Sequence, residues 1–400
     1  MRFLIVFVVL LAARGAALAQ APVTPFPVAP HNDVTIEWWY LNADLHTKSG
    51  RHLAVVGSFF RFGNLNGQVA EDSQMKVKQS HYLIYAVTDI DTKKHYTFSY
   101  GDKNTQELLQ TAADLMIAAN PANQRAQQLM AALSHGFPPP TRLISSPCKV
   151  SASPFDADYG PGNSVTAVRK ELNTFKLNLS GGAGDPAVTL TFVGQKTPML
   201  VNGDGNTGLR VRTDMKYVSL TRCKVSGTVE TGNGRETATG EGWFDHQWGN
   251  SWTTQTAGWD WWGARLSNGT DILFFQQIDL KTGTPFFPCA TFESADGSQV
   301  TTHNIVFDYD AASEWASPTG STYPLNWTVS FPDQHVSLVM TPDMLDQEMP
   351  IIAGEGAIWE GSCSVAATVD GAAVPGVAYQ ELVGYNSRAV HDTLKPIVGK

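Results

Sequence analysis

The 400-residue chain has only four cysteines, Cys148, Cys223, Cys289 and Cys363, and no Cys-x-x-Cys, so zinc-ribbon and thioredoxin-type chemistry are excluded. Their wide spacing leaves two states open: up to two disulfides, or four free buried thiols. Positive charge is scarce, with Lys+Arg 28 against Asp+Glu 37 and a formal net charge of −9, which argues against nucleic acid or polyphosphate as a partner. Beyond the first twenty residues no apolar run approaches about 18 residues, so no membrane anchor is expected. Neither Gly-x-Ser-x-Gly nor His-Glu-x-x-His occurs, which removes support for an α/β-hydrolase or a zincin. Ten histidines are scattered without metal-ligand spacing, and no metal is expected. The run Gly203-Asp204-Gly205-Asn206-Thr207-Gly208 precedes a strand-like alternation and opens no helix, so it reads as a turn, not a nucleotide site.

What is present begins with a leader. Residues 1–20 combine Arg2, an apolar run from Phe3 to Ala13 and the small-residue end Ala17-Leu18-Ala19, the pattern of a signal peptide. Residues 1–19 are expected to be removed and the mature chain exported, extracellular or, in a bacterium, periplasmic. From Val34 onward short apolar and aromatic runs alternate with period two, as in His52–Arg61 (HLAVVGSFFR) and Thr270–Ile278 (TDILFFQQI), which predicts an all-β, antiparallel protein. The Ala-, Leu- and Gln-rich stretch Thr105–Ala132 predicts two short helices split at Pro121. The segment from Pro138 to about Gly162 reads as an extended surface loop and a candidate lid.

One pattern occurs twice. Glu37-Trp38-Trp39-Tyr40, a polar turn at Gly50 and LAVVGSFFR are echoed by Asp260-Trp261-Trp262-Gly263, a turn at Asn268-Gly269 and DILFFQQID. Each copy opens one half of the mature chain, which sets a boundary near Ser251. Residues 20–250, with a helical insertion at about 105–132, and residues 251–400 are then two barrels or curved sheets.

The cluster that carries chemistry is Gly242-Trp243-Phe244-Asp245-His246-Gln247-Trp248-Gly249, followed by Gly258-Trp259-Asp260-Trp261-Trp262. On a strand Trp243, Asp245 and Gln247 share one face, and Phe244, His246 and Trp248 the other. A carboxylate or imidazole among indoles needs a partner. In one reading Asp245 and His246 tie the two barrels together through backbone hydrogen bonds. In the other, Asp245 faces an aromatic cavity whose low polarity keeps it protonated. A neutral carboxylic acid can protonate an alkene, and indole faces stabilise the resulting cation without trapping it. Glu37, Asp346, Glu348, Glu360 and Glu381 also lie beside apolar residues, which leaves a glycosidase-type carboxylate pair open. Arg61 and Arg265 are natural counter-ions for buried acids.

The ordered series Glu37–Tyr40, Phe59–Arg61, Gly242–Gly249, Gly258–Trp262, Trp315 with Ser317-Pro318, Tyr323-Pro324, Asp346–Glu348, Trp359–Gly361 and Gly384-Tyr385 resembles the AttH-like family of secreted tandem-lipocalin proteins. Relatives of that family include carotenoid hydratases, kievitone hydratase and fungal Diels–Alderases. The resemblance implies two tandem lipocalin-like antiparallel β-barrels. It also implies cofactor-free, acid-catalysed addition of water to a trisubstituted alkene, a prenyl or isoprenoid group, on an apolar small molecule. Asp245 matches the family's proton donor. The place two before it, where the family has an assisting Tyr, holds Trp243, and Tyr217 on the preceding strand is the candidate substitute. His246 completes the catalytic candidates. Trp39, Trp248, Trp259, Trp261 and Gln247 are the candidate substrate-binding residues. Two other functions fit the same fold: a cofactor-free cyclase or isomerase of a polyene, and a non-catalytic carrier of hydrophobic ligands.

Overall fold

The computed structural model describes residues 24–63, 79–208, 214–250, 258–279, 282–351 and 356–385. The leader and the expected boundary at Ser251 lie outside them. Among the described residues, period-two alternation becomes two large curled sheets. The first has thirteen strands, in the spatial order Thr141–Leu143, Lys94–Gly101, Ser80–Asp89, His52–Phe62, Ile36–Thr47, Gly234–Gly249, Met215–Thr231, Ala187–Gly194, Thr174–Ser180, Ser164–Arg169, Phe155–Asp158 and Lys149–Ala152, with Met199–Leu200 beside Met215–Thr231. The second runs Gln299–Thr302, Thr284–Glu293, Asp271–Asp279, Gly258–Leu266, Ala372–Val383, Gly356–Val369, Val336–Pro342, Trp327–Phe331 and Val306–Tyr309, with Glu348–Ile351 against Gly356–Val369. All described pairings are antiparallel except Ser99–Gly101 with Thr141–Leu143. Each sheet curls around its own apolar interior, giving two lipocalin-like barrels.

Several strands are buried on both faces, as in IEWWYLNADLHT of Ile36–Thr47, because the barrels pack against each other. Trp39, Leu41, Ala43 and Leu45 face the first barrel's interior, while Tyr40, with Trp38 against it, faces a second apolar layer shared with Trp261, Leu273, Phe275, Ile358, Tyr379 and Val383 of the other sheet. A third layer around Trp262, Phe274, Trp327 and Trp359 fills the second barrel. The shared layer is the seam. At one side of it Asp271 of the second sheet receives Arg222 of the first sheet and Lys196 from the connection after Ala187–Gly194, each at 2.7 Å. Thr221 Oγ1 donates to Glu293 Oε2 at 2.5 Å.

Helices Lys103–Ala119 and Gln124–Leu133 occupy the Ala-rich stretch, each started by a side-chain cap, Asp102 onto Thr105 N and Asn123 onto Ala126 N. The segment after Pro138 is not the free loop expected from its prolines. It forms strands Thr141–Leu143, Lys149–Ala152 and Phe155–Asp158, because Phe155, Ala157 and Tyr159 alternate into the first barrel's core. The four cysteines are free thiols, and Cys223, Cys289 and Cys363 each belong to a different apolar layer. No helix among the described residues is long and apolar enough to cross a membrane.

Candidate active site in the seam between the barrels

Asp245 sits on Gly234–Gly249, opposite Tyr40 on one neighbouring strand and Ser219 on the other, and is 2% exposed. Two residues earlier on the same face, Trp243 Nε1 donates to Asp245 Oδ1 at 2.6 Å. From the adjacent strand Tyr217 Oη donates to Oδ2 at 2.8 Å. Ser219 Oγ lies beside the carboxyl without a hydrogen bond of normal geometry. Burial pushes the Asp245 carboxyl up to about 7, against the pull of these neighbours. Burial and then Asp245 itself push the Tyr217 phenol well above its ordinary value, so it remains a donor. A carboxyl with two acceptor positions filled keeps two more, one of which carries its proton.

The second sheet closes the other side. The Trp261 ring stands edge-on to Trp243 at 6.0 Å and to Tyr40 at 5.6 Å. Gly263 permits that approach: a Cβ there would meet the Trp261 ring at 2.8 Å and the Trp243 ring at 3.2 Å. Glu381 lies opposite both Trp261 and Glu360 in the ladder. Trp259 Nε1 donates to Glu381 Oε1 at 2.9 Å, and Tyr40 Oη to Glu360 Oε2 at 3.2 Å. Burial raises both glutamate pKa values, and the field of Asp245 adds to each shift. Two carboxyls in contact cannot both ionise cheaply, so the pair shares a proton. Three buried carboxyls thus meet between the Tyr40, Tyr217, Trp243 and Trp261 rings. Partly buried Trp38, Phe60, Phe62, Trp259, Phe287 and Ile351 edge the cluster, and half-buried Gln247 lies on the Asp245 face.

The structure therefore brings together Asp245, Trp243, Tyr217, Trp259 and Trp261. It places His246, Trp39 and Trp248 on the opposite face of the sheet, in the first barrel. His246 Nε2 meets Glu37 Oε1 at 2.8 Å, and its Nδ1 faces the Pro27 carbonyl at 2.5 Å. Trp39 stacks on His246 at 5.1 Å and donates to the Val28 carbonyl. Trp248 stacks on His31 at 4.1 Å. His246 does not share a centre with Asp245 as expected for a catalytic partner: strand alternation turns it away, and its partners are Glu37 and the entering N-terminal segment. Glu360 and Glu381, which the sequence offers only within an open set of acids beside apolar residues, are brought to Asp245 by the structure. Glu348, by contrast, is occupied by Ser317, Thr319 and Tyr323, a tie within the second barrel.

Three sets of described residues bring potential metal-ligand atoms within 4.8 Å: His31–Glu37–His246, His81–Asp102–Cys148 and Asp44–His52–Asp343. None includes Asp245, Glu360 or Glu381. In the first, Arg61 already bonds Glu37 through Nε and Nη2; in the second, Asp102 is bound to His81 and caps a helix.

A buried acid walled by indoles thus lies in the seam of a two-barrel, lipocalin-like β-protein. The AttH-like family model matches residues 146–385, more than half of the chain, and the chain belongs to that family. Among solved structures, an AttH protein from Nitrosomonas europaea is 23% identical with a TM-score of 0.66, covering 92% of this chain and 99% of that one. Kievitone hydratase from Nectria haematococca is 14% identical with a TM-score of 0.61, covering 90% of this chain and 93% of that one. Likeness at these identities establishes the shared fold. No curated protein sequence matches the chain.

Proposed function

We propose that the protein is an exported hydratase-type lyase that adds water to a trisubstituted alkene on an apolar small molecule. The observation that carries this reading is the Asp245 carboxyl, held between Tyr217 and Trp243 and raised to about 7 by burial. A group with that pKa is protonated often enough at neutral pH to act as a general acid. The proton moves from Asp245 to the less substituted alkene carbon, leaving a tertiary cation. The Trp243 and Trp261 faces stabilise it, while the Tyr217 and Trp243 hydrogen bonds stabilise the Asp245 carboxylate that remains. Water then attacks the cation and gives its proton to the Glu360–Glu381 pair, which carries about one negative charge. Proton exchange with solvent restores both acids, so the reaction sums to alkene plus water. The kievitone hydratase that shares the fold supports this class over a carrier.

The test is mass spectrometry of the mature protein and its Asp245→Asn variant after incubation with prenylated phenolics and acyclic terpenoids. Gain of one water with wild type, reduced about 10²–10⁴-fold in the variant, is the expected result. Hydration that survives in Asp245→Asn would overturn the assignment of the acid; a same-mass product at a new retention time would replace hydration with cyclisation.

A further inference from the structure

A second buried acid faces away from the seam. On Gly258–Leu266, Trp259 and Trp261 point to the seam, so Asp260 and Trp262 point into the second barrel. Asp260 is 1% exposed and borders a cavity of about 500 Å³ with Gln276, Phe307, Tyr309, Trp327 and Tyr385. That volume suits a small organic ligand. Gln276 Nε2 donates to Asp260 Oδ2 at 2.8 Å, and Tyr385 Oη to Oδ1 at 2.9 Å. Both donors are neutral, and no Lys, Arg or His is among the described residues lining the cavity. In the first barrel the equivalent acid, Glu37, faces Arg61 across the ladder; here Asp260 faces Gln276. Among the described residues the second barrel therefore has the acid and lacks the cation that closes the first.

The rings around that acid suit a cation too. Tyr309 lies 5.2 Å from Trp327, and Phe307 stands edge-on to it at 6.5 Å. Trp327 Nε1 is spent on the Pro324 carbonyl at 2.6 Å, so the indole offers the cavity its carbon surface. A metal ion would want several more oxygens than one carboxylate supplies. A weakly hydrated organic cation is served by a single carboxylate and electron-rich faces.

We propose that the mouth of the second barrel is a binding site for an organic ammonium ligand, with the cationic head against Asp260 and the Trp327 and Tyr309 rings and its apolar remainder filling the cavity. The site is independent of the seam chemistry. Burial pushes Asp260 up to about 6, so binding strengthens as pH rises through that value and Asp260 ionises. The other titratable groups acting on this acid or lining its cavity are Tyr385 and Tyr309, with Tyr323 beside Tyr385 and Glu314 at the rim. Tyr385 and Tyr323 are themselves pushed upward by burial.

Isothermal titration calorimetry of the full mature chain tests this with two probes, phenethyltrimethylammonium and the neutral 2-phenylethanol. At pH 8 the ammonium should bind at least tenfold tighter than the alcohol, and its affinity should fall at least fivefold by pH 5. Asp260→Asn should weaken it at least tenfold. Gln276→Arg should do the same by supplying the missing guanidinium internally, and an unchanged or raised Tm in that variant separates occupation of the site from misfolding. Equal affinity for both probes, no binding of the ammonium at millimolar concentration, or ammonium binding untouched in folded Gln276→Arg would each overturn the proposal.

Discussion

The hairpins Ile36–Phe62 and Gly258–Asp279 are built alike at both ends. Glu37, Trp38 and Trp39 pair with Arg61, Phe60 and Phe59, while Asp260, Trp261 and Trp262 pair with Gln276, Phe275 and Phe274. Their turns close with the same bonds, Thr47 N to Arg51 O and Gly50 N to Thr47 O in one, Leu266 N to Thr270 O and Gly269 N to Leu266 O in the other. Gly50 and Gly269 both adopt the left-handed region, at φ 91° and 87°, where glycine has no steric penalty. In each copy the first Trp faces the seam and the second its own barrel. The acids nevertheless end in opposite states. Burial alone would raise Glu37, but His246, His31 and Arg61 outweigh it and hold the carboxyl at about 2. Among the described residues Asp260 meets only Gln276 and Tyr385, and burial pushes it up to about 6. The basic groups that meet the acid, His246 and His31 together with the cross-strand neighbour Arg61, decide whether the barrel mouth holds a charged network or an unmatched acid beside a cavity.

Exchanging that neighbour should break the comparison most severely. Arg61→Gln strands Glu37 and His246 in a buried setting, and removal of one partner from a buried pair costs about 3–5 kcal/mol. Urea unfolding should show a correspondingly lower midpoint, and a wild-type midpoint would mean that the first mouth is not held by this network. The pH dependence of stability sharpens the contrast next. Glu37, with its folded pKa depressed from 4.5, contributes stability that is full above about pH 4.5 and disappears as pH falls through about 2. Asp260, raised from 3.8, costs stability as pH climbs from about 4 through 6, by about 3 kcal/mol once ionised. Asp260→Asn should therefore gain on wild type between pH 4 and pH 8, read from unfolding curves at each pH, whereas Glu37→Gln should lose ground over pH 2–5. The smallest effect concerns a large-for-small exchange in the repeat, Tyr40 against Gly263. Gly263→Ala crowds Trp243 and Trp261, for about 1–3 kcal/mol, with a shifted tryptophan emission; unchanged emission would mean that the two indoles are not packed through this glycine.

Much of this arrangement was legible in the residues. The two short helices around Pro121, the repeated hairpin and the common face of Trp243, Asp245 and Gln247 all follow from local periodicity. Less legible was what lies across from that face. Trp39 and Trp248 were grouped with Asp245 because they are near it in sequence or in kind, yet alternation sends them into the first barrel. The strands after Pro138 were hidden by prolines, since Phe155, Ala157 and Tyr159 form too short a pattern to stand out.

By itself the amino-acid order determined which side chains travel together, because a strand's pleat places alternate residues on opposite faces whatever the strand packs against. Tertiary structure alone decided what each face meets. Glu360 and Glu381 join Asp245, more than a hundred residues away in the chain, only because two curled sheets press one face of each into a shared dry layer. In that layer burial raises all three carboxyls, and a carboxyl's acidity depends on its surroundings in space, which no linear spacing records.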